Sequence, residues 1–155
     1  MTDEKTATFL VTGADDESAV LSDVQDAQVH TLSENPGVEE GDVLDATVAS
    51  DPPMNVTYSV VEVQQRRRIP VETSDETPTQ RSRELAADLE AGELETMERA
   101  GVGEVHVLRV SENSVEETVE DVLTDDQTVA RAARIGIDHV EIRSGENFVS
   151  IRYMP

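Results

Sequence analysis

A chain of 155 residues suffices for one ordinary domain or two very small ones, and at this length roughly 70% of the unfolded chain's surface can be buried. Its 34 acidic residues against 12 basic ones give a formal charge of -22. The absence of cysteine excludes disulfides, thiolate metal sites and a cysteine nucleophile.

With no tryptophan and only Phe9, Tyr58, Phe148 and Tyr153 as aromatics, the core must be aliphatic, and abundant valine favours strands. Taken in chain order, the apolar patterning predicts strands over Thr6–Thr12, Ser18–Asp23, Gln28–Leu32, Asp42–Ala49, Asn55–Gln65 and Arg68–Glu72. Gly13 and the ENPG segment at Glu34–Gly37 supply turns. Leu44, Ala46 and Val48 alternate with Asp45 and Thr47, and the DPPM segment cannot lie in a central strand because of Pro52 and Pro53. Short strands at this spacing predict a small antiparallel β-barrel over residues 1–72, of a kind that resembles oligonucleotide-binding barrels, since a flat sheet would leave exposed edges.

Residues 73–103 read as a polar linker followed by a short helical connector. Leu85 with Leu89, and Leu94 with Met97, have helical spacing, and Gly92 breaks the run into two short helices or one bent one. Residues 104–155 read as an α+β unit of order β-α-α-β-β, its helices on one face of a sheet. There EVHVLRV is a central strand. Ser114–Leu123 is a helix with a Ser114/Glu117 capping box. Thr124 and Gln127 open a second helix that ends before Gly136, and VEIR and NFVSIRY form a terminal hairpin.

Motifs that carry chemistry are absent. His30, His106 and His139 are scattered and no HExxH pattern exists, so no metal site and no cofactor is expected. Adjacent carboxylates such as Asp15 with Asp16 do not face one another, and they read as solvated surface. GVG at Gly101–Gly103 lacks dinucleotide-binding spacing, and no P-loop or GxSxG elbow occurs. A small enzyme remains an alternative, with no reaction class indicated. The local departure from acidity is Arg66, Arg67 and Arg68. With Tyr58 it is the candidate contact for a partner or a nucleic acid, the guanidinium groups gripping phosphates and the ring stacking a base. The competing reading pairs these arginines with nearby carboxylates.

Lys5 is the only lysine; the other eleven cations are arginines. Such a surface repels itself in dilute buffer and is screened in molar salt, where the Debye length is about 3 Å. Monovalent cations are therefore expected around the surface. No apolar stretch approaches the roughly 18 residues of a spanning helix and no signal segment opens the chain, so the expected setting is cytoplasmic and off the membrane.

The composition resembles that of halophilic archaeal proteins. TFLVT near the start, VHTLSENPG at Val29–Gly37, VTYSVVEV at Val56–Val63 and the stretch from GEVHVLRV to the C-terminus resemble a conserved, uncharacterised haloarchaeal family. That resemblance implies no activity, cofactor or catalytic residue. The expected function is a non-enzymatic interaction with a protein partner, and RNA or single-stranded DNA binding through the N-terminal barrel is the alternative.

Overall fold

The computed structural model describes residues 3–99 and 101–155. Met1 and Thr2, read above with the N-terminal stretch, and Ala100, read with the connector, lie outside them. The chain is a mixed α+β protein with two sheets, and it divides into two compact units. Unit 1 is Met1–Ile69 with Val129–Arg134; unit 2 is Pro70–Thr128 with Ile135–Pro155.

Unit 1 contains β1 (Glu4–Ala14), β2 (Ala19–Asp23), β3 (Val29–Leu32), β4 (Val43–Ser50) and β5 (Tyr58–Arg67). Alternation decides which side chains turn inward. Phe9 and Val11 of β1, Leu21 of β2, Leu32 of β3 and Leu44, Ala46 and Val48 of β4 form one aliphatic cluster, each at most 1% exposed. A fully buried leucine of this kind contributes about 2 kcal/mol by area removed from water.

The strand order is β1-β2-β3-β5-β4, and β4 pairs back onto β1. Long antiparallel ladders make most of this circuit, but β3 meets β5 in parallel and through one residue pair, Leu32 with Tyr58. The expected small antiparallel barrel of the oligonucleotide-binding kind is corrected at this point. One seam is parallel and a single pair wide, so the sheet curls round without a continuous wall. The physical reason is length: β3 has only four residues beside the ten of β5. Beyond Tyr58, β5 pairs with β4 alone among the described residues.

Unit 2 contains β6 (Val71–Thr73), α1 (Gln80–Ala87), β7 (Leu94–Glu98), β8 (Glu104–Arg109), α2 (Val115–Thr124), β9 (His139–Ser144) and β10 (Phe148–Met154); α3 spans Asp126–Arg134. The sheet order is β6-β9-β10-β8-β7. The expected β-α-α-β-β unit is therefore corrected to a five-stranded sheet, which draws β6 and β7 from upstream of residue 104. Leu94 and Met97 sit in a strand paired with β8 rather than in a helix. Gly92, at φ +92°, turns the chain after α1, and a cross-strand partner then outweighs the helical spacing of two residues. Ala86 of α1 packs with Val105, Val107 and Phe148, while α2 runs against β6, β9 and β10.

Two caps differ from expectation. Ser114 makes no side-chain cap because a 3-10 turn at Glu112–Ser114 leads into α2, and its hydroxyl meets that of Ser111 at 3.0 Å. Asp125 rather than Thr124 accepts from the Gln127 amide, at 2.9 Å, since a carboxylate is the stronger acceptor for an exposed N–H.

Candidate functional site

The three arginines stand at the far end of β5, and two of them converge on one carboxylate. Asp42 is 2% exposed. Arg66 Nη2 lies 2.8 Å from its Oδ2, and Arg68 Nε lies 3.2 Å from its Oδ1. Their other donors serve backbone carbonyls: Arg66 bonds Gly37 O at 3.0 Å and Arg68 bonds Glu40 O at 2.7 Å. The Glu39 amide completes the shell around Asp42 at 2.8 Å. Gly41 fits this crowd because a β-carbon there would stand 3.0 Å from Arg68 Nη1. Arg67 is half-buried and also engaged. The arrangement pins the segment between β3 and β4 to the end of β5.

Tyr58 opens the same strand eight residues earlier, roughly 25 Å from Arg66 at strand rise. The structure brings Arg66 and Arg68 together on Asp42 and does not bring Tyr58 to them. Tyr58 packs edge-on against His30, ring centroids 4.7 Å apart, and His30 packs edge-on against Phe9 at 5.3 Å. The His30 Nδ1 faces Gln28 O at 3.1 Å. Burial, with the Lys5 charge adding to it, lowers the His30 pKa below its ordinary 6.5.

Because the unfolded chain takes up that proton more readily, the stabilisation is complete above about pH 6.5 and is lost as pH falls through the folded value. Thermal unfolding between pH 5 and 7.5 should therefore show a slope that flattens in His30→Leu. An unchanged slope would remove His30 from the acid response.

Next to this aromatic stack, the seam is tied by polar groups. The Ser33 amide donates to Tyr58 O at 3.0 Å. Asp51 accepts from the Ser59 hydroxyl at 2.5 Å and from the Thr57 hydroxyl at 2.8 Å. Hydrogen bonds from Ser59, Ser33 and Thr57 together hold the Asp51 carboxyl below its usual range.

Exposed apolar side chains lie close to this seam along the chain as well. Five of the seven large apolar side chains exposed among the described residues are Val29, Met54, Val56, Val61 and Val63. All lie within five residues of Leu32 or Tyr58 in the chain. Val61 and Val63 are 55% and 41% exposed along the side of β5 that has only β4 for a neighbour. In a chain of charge -22, an uncharged apolar strip is the unusual surface.

Sequence reading singled out the arginines and missed these valines, although VTYSVVEV contains three of them. Val–Val–x–Val reads as a buried strand until a missing neighbour exposes one side.

Unit 2 has an open cleft of about 760 Å³ with Phe148 and Ala86 on its floor and Arg83, Arg109 and Asn147 around it. Arg109 is committed there to the carbonyls of Ala86 and Leu89 at the end of α1, at 2.7 and 3.3 Å. Among the described residues no group of three or more His, Asp or Glu converges as a metal site. No helix of the described residues is long and apolar enough to cross a membrane.

Residues 5–144 match a family described as one of unknown function. The chain belongs to DUF5812. No curated protein and no solved structure matches it. The functional reading of this DUF5812 chain therefore rests on its own surfaces, and the exposed valines at the β3–β5 seam are the feature that ordinary packing leaves unexplained.

Proposed function

We propose that this protein is a non-enzymatic interaction protein that binds a protein partner through the apolar strip at the β3–β5 seam. The observation that carries the reading is the exposure of Val61 and Val63 on β5, with Met54 and Val56 just before that strand and Val29 at the start of β3 also exposed. Exposed apolar groups cost free energy in water, and a partner that covers them recovers it. A protein segment with its own apolar side chains fits this strip better than a nucleic acid. The nearest guanidinium groups, Arg66 and Arg68, are turned onto Asp42, and a polyanion would meet no cation among the five strip residues. Residues Val61 and Gln64 stand unopposed in the β4–β5 ladder as bulges. Bulges interrupt the even spacing that indiscriminate edge pairing needs, so side chains rather than a long added strand carry the contact. The setting we infer is a high-salt cytoplasm, from the excess of carboxylates and the single lysine.

A photoactivatable residue at Val63 tests this in a native lysate held at molar KCl. One recurring crosslinked protein is expected, and Val61→Glu with Val63→Glu should abolish the crosslink while leaving the unfolding temperature within a few degrees. Crosslinks joining only copies of this chain would make the strip a self-association surface. Persistence of the crosslink in the double variant, or RNA recovered in place of protein, would sink the reading.

A further inference from the structure

We propose that unit 2 also binds a compact phosphate-type oxyanion, in the small cleft where Arg81, Arg99 and Arg152 meet. Sequence distance conceals the convergence: Arg81 is in the first turn of α1, Arg99 follows β7 and Arg152 is in β10. The cleft holds about 190 Å³; Met97 and Val105 supply its apolar wall and Thr79 its hydroxyl. That volume is below the 300 Å³ or so at which drug-sized ligand pockets begin, and it suits a phosphate group rather than a whole nucleotide.

Carboxylates stand near Arg152 without pairing to it: Glu141 and Glu76 act on its charge through space. Its strand neighbour across β9 is Glu141, but Glu141 is held by Arg143, which also takes Glu76. No described carboxylate makes an ion pair with Arg152. Its Nε is buried and has no hydrogen-bond partner among the described residues, and the same is true of the Ser150 hydroxyl one step along the same face of β10. Buried polar groups are nearly always satisfied, so two such groups side by side call for a ligand or solvent. Burial first, and then the charges of Arg143 and Arg99, lower the Arg152 pKa, with the Glu141 and Glu76 carboxylates opposing them in part.

Arg99 spends Nη1 on Val102 O at 2.8 Å, and among the described residues its side chain makes no other hydrogen bond. The carboxylate on the cleft wall is Glu98, and it is exposed to solvent, so its repulsion is screened. The cleft wall itself carries three guanidinium groups and one carboxylate, and the Glu141 and Glu76 charges near Arg152 are shared with Arg143, so the lining keeps an excess of positive charge that suits an oxyanion. Planar, forked donors are the groups that recognise phosphate oxygens in pairs.

Titration calorimetry of the whole chain in about 2 M KCl, with inorganic phosphate and separately with glycerol phosphate, tests the site. Saturable binding is expected in the wild type, weakened at least tenfold by Arg81→Gln and by Arg99→Gln. Arg83→Gln, on the same helix but facing the larger cleft, should bind as the wild type does. Tighter binding of the monoester would assign the site to phosphorylated small molecules, and tighter binding of inorganic phosphate to the free ion. Absence of binding to the wild type, or equal binding by the Arg81 and Arg99 variants, would overturn the proposal. Both substituted arginines are solvent-accessible, and their far-ultraviolet circular dichroism separates lost binding from lost folding.

Discussion

Replacing Arg66 and Arg68 together by glutamine is expected to cost about 2 kcal/mol of stability. Removing the partner of a fully buried charge costs about 3–5 kcal/mol. The two guanidinium side chains here are 46% and 56% exposed, so screening by solvent reduces that figure. The loss arises because Asp42, 2% exposed, would keep its charge with only the Glu39 amide to satisfy it. Adding Asp42→Asn to the double variant should recover part of the loss, since the uncompensated charge is then gone. Urea midpoints at fixed KCl measure all three proteins. A double variant within about 0.5 kcal/mol of the wild type, the range of an ordinary surface change, would mean that the pairs are solvated and contribute nothing. The arginines would then be free to serve another ligand, and the nucleic-acid reading would regain ground.

Gly103→Ala is expected to be the more damaging change, by more than about 4 kcal/mol, the size reserved for a few named mechanisms. Two of them coincide at this residue. Its φ is +106°, and an added β-carbon would stand 2.0 Å from Tyr153 O and 3.1 Å from the carbonyl carbon of the same residue. Those are backbone atoms of the central strand, so no side chain can swing aside. Relief requires β8 to separate from β10 where Glu104 pairs with Tyr153. Gly101→Ala is the control: its φ is +101° but nothing lies within 4 Å. It should lose only the conformational term, about 1–3 kcal/mol. Thermal unfolding ranks the pair, and amide exchange at Val105 and Ile151 locates the damage. Equal losses at the two glycines would mean that the close approach to Tyr153 has no part in stability.

These two predictions differ in how much of their basis is legible along the chain. That Gly101 and Gly103 end one segment and release the next follows from composition. That Gly103 touches Tyr153 follows from pairing fifty residues away. The arginine triplet was visible as a charge anomaly, whereas its partner was not, because Asp42 looked like one carboxylate among many in an acidic chain. The valines of β5 carried the opposite difficulty. Their pattern indicated a strand correctly but implied burial, and exposure came from β3 being too short to cover them. Arg81, Arg99 and Arg152 carried no signal at all, because nothing in their spacing anticipates a common cleft.

What the sequence by itself determined was local. Alternation in β4 placed Leu44, Ala46 and Val48 inward, turn residues set the terminal hairpin, helical spacing produced α2, and 34 acidic residues against 12 basic ones set the charge of -22. Each of these depends on neighbours a few residues apart, where backbone geometry converts spacing directly into direction. Only the tertiary structure decided that Leu94 and Met97 lie in a strand, that the circuit of unit 1 is joined by Leu32 and Tyr58, and which charges are matched. Those outcomes are set by register between distant strands, and a shift of one residue would exchange buried for exposed and paired for unpaired throughout.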